Sequence, residues 1–242
     1  MSTSTTTRES EPPPSSAHHA VGRPAAPDST GLLAEQFDRA NLLDRFSVIV
    51  LDEALAPAAL QRLIAYILAS EAEFQASTVV DASGEIRVNE NTRRSLVFPS
   101  PPDEIAELVL SDVRRALPDV LVRMGARPVR PKGFDFQLAM TGDGGFFHGH
   151  VDGSDDVLSD RRLAFVLFCH VEPRAFTGGQ LNIYDRLSVD RWLHDAERVT
   201  VQPEQNRMVF FPPRFVHEVT TVALASRRFD DGRFTANGWV RW

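Results

Sequence analysis

The second half of the chain sets the tightest limit on its fold. After about residue 130, short β-rich runs recur: Phe134–Met140, Leu163–Cys169, Gln180–Tyr184, Arg198–Val201, Met208–Phe211, Val216–Val222 and Phe234–Val240. Clusters of Gly, Pro and Asp separate them. Many short strands with turn signals between them predict a sandwich or barrel. The preceding part reads differently. Phe46–Leu51 predicts a strand. A helix is expected from Pro57, a residue that suits a first helical turn, because Leu60, Leu63, Ile64, Ile67 and Leu68 repeat at helical spacing. A second helix is expected from about Pro102 to Ala116, with Ile105, Leu108, Val109 and Val113 on one face and Pro118 ending it. Two helices with one apolar face each suit the cover of a sheet.

Composition narrows the function classes. The chain has 242 residues, 43% of them hydrophobic, so it can bury a sizeable core. Residues 1 to about 30 are rich in Ser, Thr, Pro and Ala and hold too little apolar surface to offset ordering entropy. They are expected to form a disordered tail, with His18 and His19 solvated in it. Residues 31–242 are then one domain: a helical layer over about 52–125 and a β core over about 130–242. The 33 acidic against 26 basic residues, a net charge of −7, argue against a general nucleic-acid binder while leaving room for one local basic groove. The single cysteine, Cys169, cannot make an intramolecular disulfide and reads as a small buried hydrophobe. No apolar run approaches the roughly 18 residues that span a bilayer. The first residues lack the apolar segment of a secretory signal. The expectation is a cytoplasmic protein.

The chemistry concentrates in Gly142-Asp-Gly-Gly-Phe-Phe-His-Gly-His-Val-Asp152. On an extended strand His148, His150 and Asp152 share one face. Two imidazoles and a carboxylate there are expensive to bury unless paired or bound to metal. Taken alone, the motif is equally a polar, exposed strand end. His217, in Phe210-Phe-Pro-Pro-Arg-Phe-Val-His-Glu-Val219, adds a second histidine after a Pro-Pro turn. Two histidines and a carboxylate make the facial triad of non-haem Fe(II) oxygenases, with positions left open for co-substrate and oxygen. Arg233, in the last β-rich run, needs an anion if buried, and its planar fork fits a carboxylate. Thr235 lies two residues on, on the same face, and adds a hydroxyl. Together they suit the distal carboxylate of a dicarboxylate.

In this order the elements resemble the Fe(II)/2-oxoglutarate-dependent dioxygenases, in particular the prolyl 4-hydroxylase-like branch, over about residues 134 to 240. The matching elements are the Gly-rich lead-in to His150-x-Asp152, the strand Leu163–Cys169, Gly178-Gly-Gln-Leu181, the apolar strand before His217, and Arg233-x-Thr235 with Gly238-Trp239. The resemblance implies an α+β protein with a double-stranded β-helix, the jelly-roll core shared with cupins, and N-terminal helices packed on one face. It implies that His150, Asp152 and His217 bind Fe(II), His150 rather than His148 by family register. It implies that Arg233 and Thr235 bind 2-oxoglutarate. O2 would be the oxidant, ascorbate a reductant, and succinate and CO2 the released products, with hydroxylation of an unactivated C–H bond. Asp152 favours hydroxylation over halogenation, since halogenating relatives replace this carboxylate with a small residue.

Two departures from the family pattern bear on the site. Where many relatives carry a Tyr nine residues before the first iron histidine, this chain has Thr141, and Tyr184 is the candidate substitute. The stretch from His217 to Arg233 is long, which makes Arg227 an alternative to Arg233 and suggests a hairpin turning at Asp231-Gly232. His170 reads as a satisfied structural histidine, and His194 as surface. Trp192 and Leu193 suit a short helix near the mouth. Arg93-Arg94-Ser95 echoes a substrate-channel segment of the family but reads more simply as a solvated charge pair. Specificity is expected in the loops 76–92, 153–162 and 172–178. The resemblance admits a peptidyl, amino-acid or natural-product substrate. The competing readings are a non-catalytic, metal-binding cupin-like sensor or binding module, and a purely structural β sandwich with the three ligands far apart.

Overall fold

The computed structural model describes residues 45–80, 84–152, 160–190 and 193–242. The expected tail, most of the loop 153–162 and Trp192 lie outside the described residues. Strand β1 (Ile49–Leu51) leads to helix α1 (Pro57–Ala69), which opens on its proline and buries Leu60, Leu63 and Ile67. Five short strands follow: β2 (Gln75–Ala76), β3 (Val79–Val80), β4 (Ile86–Arg87), β5 (Arg93–Arg94) and β6 (Leu96–Phe98). They are two or three residues long, too short to leave a period-2 signal.

Helix α2 runs Asp103–Arg123, seven residues beyond its expected end, with Pro118 inside it. An interior proline costs about 3 kcal/mol through the lost backbone bond and ring clash. Continuing the helix extends the buried stripe of Ile105, Val109 and Val113 with Leu117, Val120 and Leu121. Three more buried apolar side chains contribute about 1.5–3 kcal/mol each, so burial wins. No helix of the described residues is long and apolar enough to cross a membrane.

The remaining strands are β7 (Gly133–Thr141), β8 (Phe146–His150), β9 (Arg161–Phe168), β10 (Phe176–Gly178), β11 (Leu181–Tyr184), β12 (Arg198–Val201), β13 (Met208–Phe211), β14 (His217–Val219), β15 (Val222–Leu224) and β16 (Arg233–Arg241). Among the described residues they build a seven-stranded sheet, β1-β13-β9-β16-β7-β6-β2, and a five-stranded one, β12-β11-β14-β8-β5. Two pairs, β10-β15 and β3-β4, complete the set, and every pairing is antiparallel. This is the α+β jelly roll that the strand pattern and the resemblance lead one to expect.

Alternation along β9 shows where the core sits. Leu163, Phe165 and Leu167 share a cluster with Leu63 and Ile67 of α1 and Val109, Val113 and Leu121 of α2. Ala164 and Phe168, on the other face, pack with Leu181, Ile183, Val209 and Phe211 between the two sheets. The expected run Val216–Val222 divides at Thr220-Thr221, because the chain changes partner there. β14 joins the five-stranded sheet and β15 pairs with β10. The segment before Arg233 is likewise no hairpin. Phe229–Asp231 forms a 3-10 turn, Gly232 has an ordinary extended backbone, and Phe229 packs edge-on against Phe234 at 5.0 Å and Phe74 at 5.2 Å.

Candidate metal centre and its cavity

The two sheets enclose a cavity of about 380 Å³ between β7, β9 and β16 on one side and β8 and β14 on the other. His150 ends β8, Asp152 follows two residues on, and His217 opens β14 directly opposite His150 in the ladder. The Asp152 backbone N–H donates to the Pro213 carbonyl at 2.9 Å, so the Pro-Pro turn fixes the carboxylate's position. One ligand atom from each of the three residues lies within 4.8 Å of the other two. This juxtaposition removes the reading in which the three side chains are far apart.

His148 does not join them. Between the His217–His150 and Val219–Phe147 pairs, β8 has two residues where β14 has one, Glu218. Such a bulge reverses the alternation. Phe147 therefore shares the cavity face with His150 and stacks on it at 3.4 Å, while His148 is exposed beside Phe146. Gly149 belongs at the bulge, since a Cβ there would lie 2.9 Å from Leu193 and 3.4 Å from Val216.

The imidazoles are oriented for a metal. His150 Nδ1 lies 2.9 Å from the His148 carbonyl and His217 Nδ1 lies 3.0 Å from the Phe215 carbonyl. A carbonyl only accepts, so each Nδ1 carries a proton and each Nε2 is the atom turned toward Asp152, where a cation would bind. Burial, with His217 beside it, holds the His150 pKa down at about 3, so this ring is neutral at physiological pH. Burial also works to lower His217, but the charge and hydrogen bond of Asp152 outweigh it and the pKa is raised. For Asp152 itself burial acts upward, and the imidazoles together with the Trp239 N–H outweigh that and hold it below the usual carboxylate range. His150 Nε2 and His217 Nε2 lie 3.7 and 3.3 Å from the carboxylate. A cation that displaces the proton Asp152 favours on His217 would meet two imidazole nitrogens and one ionised carboxylate, a donor set that fits Fe(II).

Arg233 opens β16 and is buried in the same cavity. Its Nε donates to the Gly179 carbonyl at 2.7 Å, and its guanidinium lies 5.0 Å over Phe168. Burial pushes its pKa down to about 10. Among the described residues no carboxylate pairs with it, so a buried cation faces a cavity with no counter-ion of its own. That fits the distal carboxylate of 2-oxoglutarate. Thr235 lines the cavity beside it, and Thr141 stands opposite Arg233 in the β7–β16 register. Arg227 is exposed and pairs with Asp143 at 3.2 Å outside this cavity. Tyr184 does not line it either. Its hydroxyl donates to Glu218 Oε1 at 2.5 Å, and Thr141 stands at the Tyr position with no aromatic substitute from β11.

Several side chains differ from their sequence readings. Arg93 is not a solvated charge. It turns into the cavity, donates from Nε to Ser95 Oγ at 2.9 Å and lies 4.6 Å over Phe147. Burial lowers its pKa to about 10, with Asp152 acting the other way. Arg94 points outward, 3.9 Å from Glu90. The two-residue β5 gave no sequence signal for this inward turn. Trp239 donates its indole N–H to Asp152 Oδ2 at 3.0 Å. Extending the alternation from Arg233 and Thr235 to residue 239 predicts that face. His170 is buried, with Nε2 3.1 Å from Glu172 and Nδ1 without a partner, so only half of its hydrogen-bonding capacity is met. Cys169 is buried and its thiol pushed up to about 12, an inert hydrophobe as expected. His194 is exposed.

The 2OG-Fe(II) oxygenase superfamily matches residues 136–241. An uncharacterized PKHD-type hydroxylase of Synechocystis sp. is 27% identical over 188 residues, 77% of this chain. The chain spans 60% of that protein's length. A Pseudomonas putida prolyl-4-hydroxylase superposes with a TM-score of 0.57 at 20% identity, over 82% of this chain and 94% of the other. A Trichoplax adhaerens prolyl hydroxylase, in complex with a peptide fragment of the hypoxia inducible factor oxygen degradation domain, gives 0.56 at 17% identity, over 89% of this chain and 94% of the other. Residues 136–241 are thus similar to the 2OG-Fe(II) oxygenase superfamily, and the fold is that of the prolyl 4-hydroxylase structures.

Proposed function

We propose that this chain is an Fe(II)- and 2-oxoglutarate-dependent oxygenase that hydroxylates an unactivated C–H bond. The observation that carries the reading is one cavity holding both halves of the requirement. His150, Asp152 and His217 offer two Nε2 atoms and a carboxylate, and Arg233 offers a guanidinium with no carboxylate partner among the described residues. When bound, iron with 2-oxoglutarate and O2 supplies oxidising power through decarboxylation of the co-substrate to succinate and CO2. His150, Asp152 and His217 would hold the iron. Arg233 would bind the distal carboxylate through charge-assisted bonds, and Thr235 and Thr141 would offer hydroxyls near it. Phe147, Phe211 and Ala164 would keep water from the reacting centre.

The substrate proposed is peptidyl. The Trichoplax adhaerens neighbour holds a peptide. In this chain the β3–β4 hairpin, whose Val79 lines the cavity, is followed by exposed Val88 and carries exposed Ile86. Leu187 and Val189 are exposed on the loop beside Gly149. Apolar side chains on both segments suit an extended chain more than a small polar molecule. The single, buried cysteine fits the reducing cytoplasm.

The test is an anaerobic titration of 2-oxoglutarate into the Fe(II)-loaded protein, followed by visible absorption. A weak new charge-transfer band is the expected result. Iron bound without a band would favour the metal-binding module without turnover, and no iron bound would sink both readings.

A further inference from the structure

We propose that Trp239 is a positioning residue that decides which oxygen of Asp152 meets the metal, and that Arg161 clamps the indole in place. The inference rests on the metal site proposed above. Asp152 Oδ2 takes the Trp239 N–H at 3.0 Å and also lies 3.3 Å from His217 Nε2, so both of its lone pairs are engaged, while Oδ1 faces His150 Nε2 at 3.7 Å with no donor of its own among the described residues. A donor fixed on one oxygen leaves the other as the ligand. The carboxylate would then offer one atom to a metal. Coordination through both oxygens would fill a position that co-substrate or O2 needs.

The indole is held for this purpose from two sides. Trp239 stands opposite Asp135 on β7 and Ala164 on β9. The strand comes so close to β7 that a Cβ on Gly238 would lie 1.9 Å from the Asp135 carbonyl, so only glycine precedes the tryptophan without moving it. The Arg161 guanidinium lies 3.9 Å from the indole centroid. Its own orientation is set by Asp135, whose Oδ2 accepts from Arg161 Nε at 2.7 Å while Oδ1 pairs with Arg241 at 3.2 Å. A chain of contacts, Asp135 to Arg161 to Trp239 to Asp152, therefore runs from the rim of the seven-stranded sheet to the metal ligand. A tryptophan placed only to fill space needs its ring. One placed to orient Asp152 needs its N–H.

Trp239→Phe separates the two, because it keeps an aromatic ring under Arg161 and deletes the donor. The probe is Co(II), titrated anaerobically into the full-length metal-free protein and followed by its visible d–d absorption, with no turnover involved. Loss of a partner hydrogen-bonded to a metal ligand is expected to weaken binding about 10- to 100-fold and to alter the band shape, while the thermal midpoint of the metal-free protein stays within a few degrees. Arg161→Gln keeps the N–H and loses the clamp, and is expected to weaken Co(II) by about 2- to 5-fold, the size of an exposed-to-desolvated cation–π contact. Trp239→Phe with the native affinity and spectrum overturns the proposal. If that variant does not fold, native affinity and spectrum in Arg161→Gln overturn it instead. Failure of the native protein itself to bind Co(II) would count against the metal site, a result distinct from either.

Discussion

On β16, Phe234, Ala236 and Val240 face α1 and α2 and are wholly buried in the larger core, whereas Arg233, Thr235, Asn237 and Trp239 face the cavity. The residues alternate, yet the two faces answer to different physics. The helix face removes apolar surface from water, which contributes about 1.5–3 kcal/mol per large side chain. The cavity face buries a guanidinium with no carboxylate partner among the described residues, which opposes folding until an anion arrives. One strand thus holds the fold together with one side and keeps binding capacity in reserve on the other.

The largest effect that can test this division is on the helix face. Phe234 is fully buried against Phe229 and Phe74. Phe234→Ala is expected to cost about 3–5 kcal/mol of stability in urea unfolding. The fraction that remains folded should still bind 2-oxoglutarate within about 2-fold of native, since the Phe234 side chain lies on the opposite face of β16 from its neighbours Arg233 and Thr235 and does not line the cavity. A fall in co-substrate affinity as large as the fall in stability would show that the two faces are not separable.

The next effect runs the other way. Arg233→Met should weaken 2-oxoglutarate by at least about 100-fold, because a buried charged contact is worth about 2–5 kcal/mol when one side is truncated. Its unfolding free energy should hold or rise, since an apolar side chain replaces a buried ion of similar length. A substantially lower thermal midpoint in the metal-free variant would break the comparison from this side, because it would make Arg233 a structural residue.

What the sequence revealed follows the same division. The helix-covered sheet was legible because its strands are long or apolar: Met208–Phe211 falls at the observed boundaries, and Phe134–Met140 and Phe234–Val240 fall one residue inside them. The ligands His150, Asp152 and His217 and the cradle Arg233 and Thr235 were legible from spacing, order and resemblance. The rest depended on tertiary facts. Pro118 stays helical because the core beyond it is apolar. Arg93 turns inward because β5 pairs with Phe146 and Phe147 of β8, a partner far along the chain. Thr220-Thr221 breaks a continuous β-rich run because two sheets compete for it.

Thr141 offers a smaller test on the cavity face. It stands opposite Arg233 and lines the same cavity. Thr141→Val keeps the shape and removes one donor. A single neutral hydrogen bond is worth about 1 kcal/mol, so 2-oxoglutarate affinity should fall about 5-fold, with Arg233 still providing most of the binding. No change at all would place the Thr141 hydroxyl outside the co-substrate's contacts.

His148→Ala should have the smallest effect, and it tests the strand phase that the whole site depends on. Strict alternation puts His148 and His150 on one face and makes them equivalent candidates. The bulge opposite Glu218 reverses the phase at Gly149, so Phe147 joins His150 in the cavity and His148 faces outward. The His148 backbone is still needed. Its N–H donates to the Thr92 carbonyl at 2.9 Å and its carbonyl accepts from His150 Nδ1. Alanine preserves both. Co(II) affinity in His148→Ala should therefore stay within about 2-fold of native, whereas His150→Ala, which removes one of three ligands, should lose at least the 10- to 100-fold that outer-shell changes cost. A comparable loss in both variants would mean that alternation, not the bulge, sets the face of β8, and the cavity would then hold a third imidazole.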